Sequence, residues 1–551
     1  MIQYNDAKIM EQVKEIPLYG EYDVVVVGGG VAGSAAAMAV GKRGYKVLIV
    51  EATSALGGLA TMGLVNIPLD FVSGLGTEMI KELEKVNGHW HRNTDPEKHK
   101  LVLDRMLKKY NVEALLVTSV VDAIVDGNTV KGAVIQTKTG RKRVMAKRFI
   151  DASGDSDLCY YAGAETQSGR PQDGMSQACS LEFTLGGVDW NKYLESDIKK
   201  NDPRWTKTIK EDLASGVLAV ESDNHLNWIT HLPGRPENCG MDEVSVCLVH
   251  SRRCFPVDNR DLTRMYFEGR EQANMLADYF KLRIPGFEHS FLTATASLLG
   301  VRESRRIVGE YQLTAEDLAF SRKQDDVITI SNHGYDVHNF EAAGNVKWAP
   351  IMLNGEIQYV ISSQAGFGTT TPPPDNKPVV NYKGQTAEFA EFEPNLYYDI
   401  PYRSLVPVRI DNVLVAGRNL SADVYAQSGA RLVMACFTMG EAAGTATCIS
   451  LHENITPRKV DRIKLQRELI ANNVNLGQSF RTIPGVTDVT EEYKDDYANP
   501  EFFKEGFTVK NCGNEFTLQG KKAGTDNEEV KGDNHAANQI DKFFLSKEKK
   551  N

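Results

Sequence analysis

The sequence predicts an α/β protein: a Rossmann-like domain on a parallel sheet, discontinuous in sequence, with an inserted mixed α+β domain. Three observations predict it. The apolar run Tyr22–Val27 leads into a glycine-rich turn, as buried parallel strands do. A helical segment from Val31 to about Arg43 and a second apolar strand, Lys46–Val50, follow within one short unit. A comparable strand, Asn412–Ala416, appears again near the end of the chain.

The glycines of the first turn have the spacing of a dinucleotide cradle. Gly28 permits the tight turn, Gly30 lets the backbone approach a pyrophosphate, and Gly33 lets the following helix pack closely on the sheet. The helix then directs its positive end at the phosphates. Glu51 ends the second strand, where a carboxylate accepts a hydrogen bond from ribose. A turn that serves only packing does not explain this acid.

Composition favours a folded globular protein and argues against polyanionic partners. The chain has 551 residues, 42% of them hydrophobic, which is enough for two or three structural units. With 63 Lys and Arg against 73 Asp and Glu, its formal net charge is −10. This charge repels nucleic acid and anionic membranes. The eight cysteines form no Cys-x-x-Cys pair, so we expect reduced thiols and no metal site.

The uncharged run Val24–Gly41 has almost the length of a membrane span. Its three adjacent glycines, at 28 to 30, argue against a helix centre, and the residues before it carry Glu11, Glu15 and Glu21 rather than a basic signal sequence. We therefore predict neither an anchor nor a secretion signal, and a cytoplasmic location.

Further motifs follow the cradle in chain order. They are Leu56-Gly57-Gly58-x-Ala60-Thr61, Asp151-Ala152-x-Gly154-Asp155, Gly300–Arg306, Ile400–Pro407, and Val415–Arg418 through Gly444. In combination they resemble the FAD-dependent oxidoreductases with a glutathione-reductase-type flavin domain, closest to a branch of largely uncharacterised bacterial enzymes. The resemblance covers roughly residues 20–455. It implies an extended FAD, with its pyrophosphate on the cradle and its adenosine ribose on Glu51.

The same resemblance implies further contacts to FAD. Gly58–Gly63 and Asp155 would flank the ribityl and flavin region, the Val120-Val121 pair would lie along the adenine, and the helix beginning near Leu432 would face the flavin pyrimidine. Ordinary strand packing remains open for the valines, and a simple turn for Asp155. The full predicted set is Gly28, Gly30, Val31, Ala32, Gly33, Glu51, Ala52, Gly57, Gly58, Leu59, Ala60, Thr61, Gly63, Val120, Val121, Ala152, Gly154, Asp155, Gly417, Arg418, Arg431, Val433 and Met434.

These motifs divide the chain into four segments. Residues 1–160 and 400–455 form the two parts of the FAD-binding domain, 161–399 form an inserted substrate domain, and 456–551 form a partly flexible extension. In the insertion, the segments Ser180–Gly187 and Val244–Ser251 have the composition of strands, and Leu262–Leu282 that of a helix. Segment 365–395, rich in Gly, Thr and Pro, is a loop that closes over a site or merely connects elements.

Catalytic candidates lie in and after the insertion. Tyr335-Asp336-Val337-His338 resembles a histidine segment of the family, and His338 is the candidate base, with Asp336 two residues away to orient it. A structural histidine is the alternative. Arg305 belongs to the trio 302, 305 and 306, which either binds an anion or pairs with internal acids. Tyr402 and Arg403 approach the flavin from the substrate side or serve interdomain packing.

The sequence thus predicts an enzyme that transfers a hydride from a small polar organic substrate, an alcohol, sugar derivative or amine, to FAD. Oxygen or an external carrier would be the electron acceptor, and the oligomeric state, homo-oligomers included, stays open. No second Gly-x-Gly-x-x-Gly or Cys-x4-Cys pair indicates an NADH domain or a dithiol relay. The alternative is a flavin-carrying electron-transfer subunit of a complex like heterodisulfide reductase, recognisable by an iron–sulfur partner. A module that only binds nucleotide suits the acidic charge and large insertion poorly.

Overall fold

A computed structural model describes residues 2–4, 9–11, 15–90, 92–219, 222–234, 242–362, 370–381, 383–386 and 397–488. The predicted loop 365–395 lies partly outside these residues, and so does the extension beyond 488. The predicted α/β class is confirmed. The described helices are Val31–Lys42, Leu75–Lys85, Pro96–Lys109, Asp157–Tyr161, Trp190–Glu195, Asp197–Asn201, Thr206–Ser215, Asn259–Arg283, Ala315–Ala319, Val424–Ala430, Val433–His452 and Arg462–Ala471.

A seven-stranded sheet is the centre of the first domain. Leu18–Val27 pairs in parallel with Val47–Val50 on one side and Gly140–Asp151 on the other, and Val413–Val415 adds to the latter strand, also in parallel. The strands in spatial order are Glu113–Leu115, Val47–Val50, Leu18–Val27, Gly140–Asp151, Thr129–Thr137 and Ser119–Asp126. A strand from residue 413 therefore completes a sheet begun at residue 18, so the sheet is discontinuous in sequence as predicted.

Two helices that are rich in small residues pack closely against each other beside this sheet. The cradle helix, Val31–Lys42, and the core helix, Val433–His452, are buried over most of their lengths and are rich in Ala and Gly. A Cβ added to Gly440 would lie 2.0 Å from the carbonyl oxygen of Ala32, and one added to Gly444 would lie 2.5 Å from that of Ala36. Glycine at these two positions is what lets the helix backbones touch.

One strand prediction was wrong. The segment Ala114–Val121 is two strands, Glu113–Leu115 and Ser119–Asp126, at opposite edges of the sheet. The backbone turns between them at Val117, whose φ is 52°. Because a β-branched residue rarely adopts this conformation, the residue type at 117 does not indicate that the strand ends there.

The inserted region has its own core between residues 179 and 301. Its four-stranded antiparallel sheet has the order Trp228–His231, Asp242–Cys247, Phe183–Val188 and Phe291–Thr295, and the helix Asn259–Arg283 packs on it. Most buried apolar residues from 307 to 360 instead share the core of the first domain, and so do Leu465 and Leu469 of the extension. Val337, Val346 and Trp348 form a small cluster of their own. The packing thus places only part of 161–399 in a separate core.

The remaining strands form small sheets. A three-stranded sheet comprises Trp348–Leu353, Glu356–Ile361 and Val379–Val380. The two-stranded pairs are Ile2–Tyr4 with Ile9–Glu11, His89–Trp90 with Asn93–Thr94, Thr166–Ser168 with Arg305–Ile307, Cys179–Ser180 with His250–Ser251, Val327–Ser331 with Tyr398–Pro401, and Val337–His338 with Asn345–Val346.

In the described residues, no single helix is long and apolar enough to cross a membrane. Val424–Ala430 and Val433–His452 reach that length and composition only as a pair, which bends by 90° at its break. The longer member is the buried core helix.

Candidate functional site

A cavity of about 540 Å³ runs from the glycine turn into the inserted region. Its walls come from the cradle, from the strand ends near 51 and 152, from the start of the core helix, and from segments 180–182, 298–302 and 333–347. The carboxyl ends of parallel strands and the amino ends of two helices therefore meet at one site, which is where open α/β sheets bind ligands.

The cradle end is shaped by glycine. Gly28 has a φ of 94°, and a Cβ there would lie 2.4 Å from the carbonyl oxygen of Ala152. A Cβ on Gly33 would lie 1.9 Å from the oxygen of Gly28, so Gly33 serves the packing of helix on turn. Gly30 differs, because a Cβ there meets no atom within 4 Å although the residue lines the cavity. The free space above Gly30 suits a group that approaches the backbone closely, as a pyrophosphate does.

Glu51 holds the turn together from within the cavity wall. Its Oε2 accepts a hydrogen bond of 2.5 Å from the Gly29 amide, and its Oε1 accepts one of 2.7 Å from the Thr53 amide. A carboxylate can accept about four hydrogen bonds, so both oxygens retain capacity for a ribose hydroxyl.

Most of the predicted cofactor residues line this cavity. They are Gly28, Gly30, Val31, Ala32, Glu51, Ala52, Gly57, Gly58, Leu59, Ala60, Val120, Ala152, Gly154, Asp155, Gly417, Arg418, Arg431 and Val433. Gly33, Thr61, Gly63, Val121 and Met434 lie outside its lining. Thr61, for example, is buried and donates a 2.6 Å hydrogen bond to the carbonyl of Leu56, which fixes the second glycine turn.

Among the predicted catalytic residues, His338 lines the cavity and three others do not. Arg305 pairs with Asp157 and stacks over Tyr160 at 4.3 Å. The hydroxyl of buried Tyr402 donates a 2.8 Å hydrogen bond to the carbonyl of Pro457, and Arg403 forms an ion pair of 3.0 Å with Asp326. These contacts favour the packing interpretation of Tyr402 and Arg403 and the internal pairing of Arg305.

Arg302 is the member of the arginine trio that reaches the cavity. Arg302 lies outside the short strand Arg305–Ile307. Arg306, within that strand, forms a buried ion pair with Glu303. The guanidinium of Arg302 donates a 2.7 Å hydrogen bond to the carbonyl of Ala178 and lies 3.3 Å from Nε2 of His250. The sequence pattern does not show which of the three arginines reaches the cavity, because the strand covers only part of the motif.

His338 and Asp336 form the polar end of the cavity together with Lys347 and Arg431. Nε2 of His338 lies 3.7 Å from Oδ2 of Asp336, and its Nδ1 is buried without a hydrogen-bond partner. Asp336 also lies 3.5 Å from the ammonium of Lys347 and 3.0 Å from Arg431. Burial opposes its ionisation, but the positive charges of Lys347 and Arg431 hold the pKa of Asp336 well below its usual range.

Burial lowers the pKa of His338 to about 3, with a further contribution from the positive charge of Arg302. The ring is therefore neutral around pH 7. The neutral ring can accept a proton, and the carboxylate of Asp336 lies near its Nε2.

Behind His338 lies a second histidine. The rings of His338 and His250 stack with centroids 5.1 Å apart and an interplanar angle of 17°. Asp223, His250 and His338 could bring three ligand atoms within 4.8 Å of one another. Asp223, however, already accepts hydrogen bonds from the amides of Asn224 and Gly344 and from the side chain of Asn227, and guanidinium groups surround the histidines. This positive field disfavours a further cation.

The structure also brings in residues that the sequence did not single out. Glu182 lines the cavity, its Oε2 has no hydrogen-bond partner, and burial raises the pKa of this carboxyl to about 8. Arg204 and Lys347 line the cavity from segments that are distant in sequence. No motif marks these three residues, because each is contributed singly by a different element.

Residues 23–469 match the model of the family described as FAD dependent oxidoreductase. A digeranylgeranylglycerophospholipid reductase of Methanospirillum hungatei is 27% identical over 176 residues, which cover 26% of this chain and 42% of that protein. A nicotine dehydrogenase of Pseudomonas putida is 60% identical over 38 residues, which cover 7% of this chain and 8% of that protein. The chain thus spans less than half the length of these curated relatives.

Among solved structures, the myxobacterial chondrochloren halogenase CndH covers 82% of this chain and 80% of its own, with 14% identity and a TM-score of 0.33. A geranylgeranyl bacteriochlorophyll reductase-like protein from Thermoplasma acidophilum covers 51% and 66%, with 19% identity and a TM-score of 0.31. The family match includes both parts of the discontinuous sheet, the cradle, Glu51 and the polar end of the cavity. The protein belongs to the FAD dependent oxidoreductase family.

Proposed function

We propose that the protein dehydrogenates a small polar organic substrate, an alcohol, sugar derivative or amine, in the polar end of the cavity. The observation that carries this proposal is that a histidine beside a carboxylate lines the same cavity as the glycine cradle. The cradle residues and Glu51 hold FAD, and the polar end is left for the substrate. Oxygen or an external electron carrier accepts the electrons afterwards.

The cavity wall fits FAD in two respects. Backbone approach is open above Gly30, and the core helix begins at Val433 with its amino end at the cavity, where its dipole stabilises negative charge. When bound, FAD supplies a two-electron acceptor for hydride.

The side chains then handle the proton. As the hydride leaves the substrate carbon, the imidazole ring of His338 accepts the proton of the neighbouring O–H or N–H group. Asp336 stabilises the imidazolium that forms. Lys347 and Arg431 keep Asp336 ionised and in place. The reaction removes one hydride and one proton from the substrate.

The glycine cradle can be tested apart from catalysis by Gly30→Val. Gly30 has a φ of −61°, which valine accepts, and no protein atom blocks its Cβ. We expect a folded protein with unchanged circular dichroism whose affinity for FAD falls roughly tenfold or more, because the side chain fills the space of the pyrophosphate. FAD bound per polypeptide and fluorescence titration of apoprotein measure it.

Gly33→Ala is the control for that experiment. Its Cβ would overlap the oxygen of Gly28, so this variant should lose thermal stability as well as FAD. A Gly30→Val protein that purifies with a full complement of FAD would contradict the placement of the pyrophosphate.

Hydride transfer is tested by anaerobic screening of the purified holoprotein against alcohols, sugar derivatives and amines, with loss of oxidised-flavin absorbance as the readout. With a donor in hand, His338→Gln should slow flavin reduction by roughly 10²- to 10⁴-fold, because the proton acceptor is lost. His289→Gln, at an exposed histidine, is the matched control. Equal reduction rates in His338→Gln and the parent protein would remove His338 from the reaction.

The pH dependence follows from the neutral state of His338. A base must be unprotonated, so kcat/KM falls as pH drops through the pKa of His338 in the free enzyme. Burial, Arg302 and Arg431 lower that pKa to about 3, against the opposing effect of Asp336. We expect a flat kcat/KM from pH 7 down to the limit of protein stability. An acid limb centred near the ordinary histidine value of about 6.5 would show that His338 is not in this environment.

A further inference from the structure

The polar end of the cavity contains more cationic than anionic side chains. Arg204, Arg302, Lys347 and Arg431 all line it, and Asp336 is the carboxylate that pairs with the last two. Buried cations without an anionic partner carry a large desolvation cost, so such an arrangement calls for an explanation.

The other acids of the wall do not balance these charges. Glu51 binds the backbone of the cradle, Asp155 pairs with Arg418 at 2.6 Å, and Asp157 pairs with Arg305. Glu182 is held in its neutral form by burial, which raises its pKa to about 8.

Two of the cations donate their hydrogen bonds to carbonyl groups. Burial lowers the pKa of Arg204, and the carboxylates of Asp336 and Asp223 oppose this only from a distance. Arg204 donates to the carbonyls of Leu226 and Asn227, at 3.0 Å to the former, and Arg302 donates to the carbonyl of Ala178. Within the described part of the chain, neither guanidinium forms an ion pair with a carboxylate. Carbonyl oxygens orient a guanidinium without neutralising it.

Lys347 and Arg431 both pair with Asp336, but this carboxylate does not use all of their hydrogen-bond donors. The ammonium of Lys347 lies 3.5 Å from this carboxylate, and burial, Arg204 and Arg431 together lower its pKa. Nε of Arg431 is buried without a hydrogen-bond partner. The ammonium of Lys347 therefore keeps donors available beside the candidate base.

We infer that the substrate carries an anionic oxygen group, a carboxylate or a phosphate ester, which binds to Arg204 and Lys347 while its oxidisable carbon lies toward His338. This inference rests on the proposed function and deepens it, because it names the class of the substrate. An anion here reduces the excess of positive charge at the polar end of the cavity. The pyrophosphate of FAD does not fill this role, since the cradle that receives it lies at the glycine turn.

Anion binding can be measured on the holoprotein without turnover. Acetate and inorganic phosphate are titrated separately, with chloride at equal ionic strength as the reference, and the visible flavin spectrum and the melting temperature are recorded. Holoprotein is essential, because bound FAD occupies the other phosphate site. We expect a saturable spectral change with acetate, phosphate or both, and the stronger of the two identifies a carboxylate or a phosphate ester.

Lys347→Gln and Arg204→Gln should each weaken that binding roughly tenfold or more, since hydrogen bonds to charged groups are lost. Lys131→Gln and Arg409→Gln, at exposed positions, are the matched controls and should leave the dissociation constant unchanged. The side chain of Arg204 joins two backbone carbonyls, so its replacement also removes a structural link. Lys347→Gln tests the same anion site if Arg204→Gln does not fold.

Two results would overturn the inference: no response to acetate or phosphate beyond that to chloride, or equal dissociation constants in all four variants. Its failure is distinguishable from that of the proposed function. Flavin reduction by uncharged donors, with no anion binding, leaves hydride transfer intact and removes the anionic substrate. Anion binding that depends on Lys347, with no donor able to reduce the flavin, supports the anion site and removes the dehydrogenation.

Discussion

Contact between the cradle helix and the core helix is the constraint on which the site depends. The oxygens of Ala32 and Ala36 lie where Cβ atoms of residues 440 and 444 would stand, so the two backbones meet only because both residues are glycine. This contact joins segments about 400 residues apart and places both helix amino ends at one cavity. Interiors are close-packed, so even a methyl group at this interface would have to separate the helices.

Charge is the second organising constraint, and Asp336 is at its centre. The carboxylate contacts Lys347, Arg431 and His338, which come from three separate stretches of chain. Because the region is buried, each of these interactions is stronger than in water, and each unpaired group is more costly. The fold maintains these groups beside a cavity rather than in a sealed core, as expected of residues retained for binding and chemistry rather than for stability.

Prediction of the site from the sequence was most accurate where local geometry dictates the residue type. Gly28 needs a positive φ and Gly33 needs space, so the cradle could be placed to the residue. It was weakest where tertiary packing decides. The choice of Arg305 over Arg302 depended on where a three-residue strand begins, and Tyr402 is turned toward Pro457 by packing that no pattern reveals. Arg204 and Lys347 are isolated in sequence and meet only because the inserted region folds over the first domain.

The two constraints together bear on when His338 can act as a base. Burial and Arg302 hold its ring neutral, so it can accept a proton but has little tendency to do so. A bound anion beside Lys347 and Arg204 would offset the positive field and favour the imidazolium, as any nearby negative charge does. With the inferred anionic substrate, the basicity of His338 therefore rises on binding. In the proposed reaction, the excess of positive charge thus has two linked consequences: it selects an anionic substrate, and it keeps the base weak until that substrate arrives.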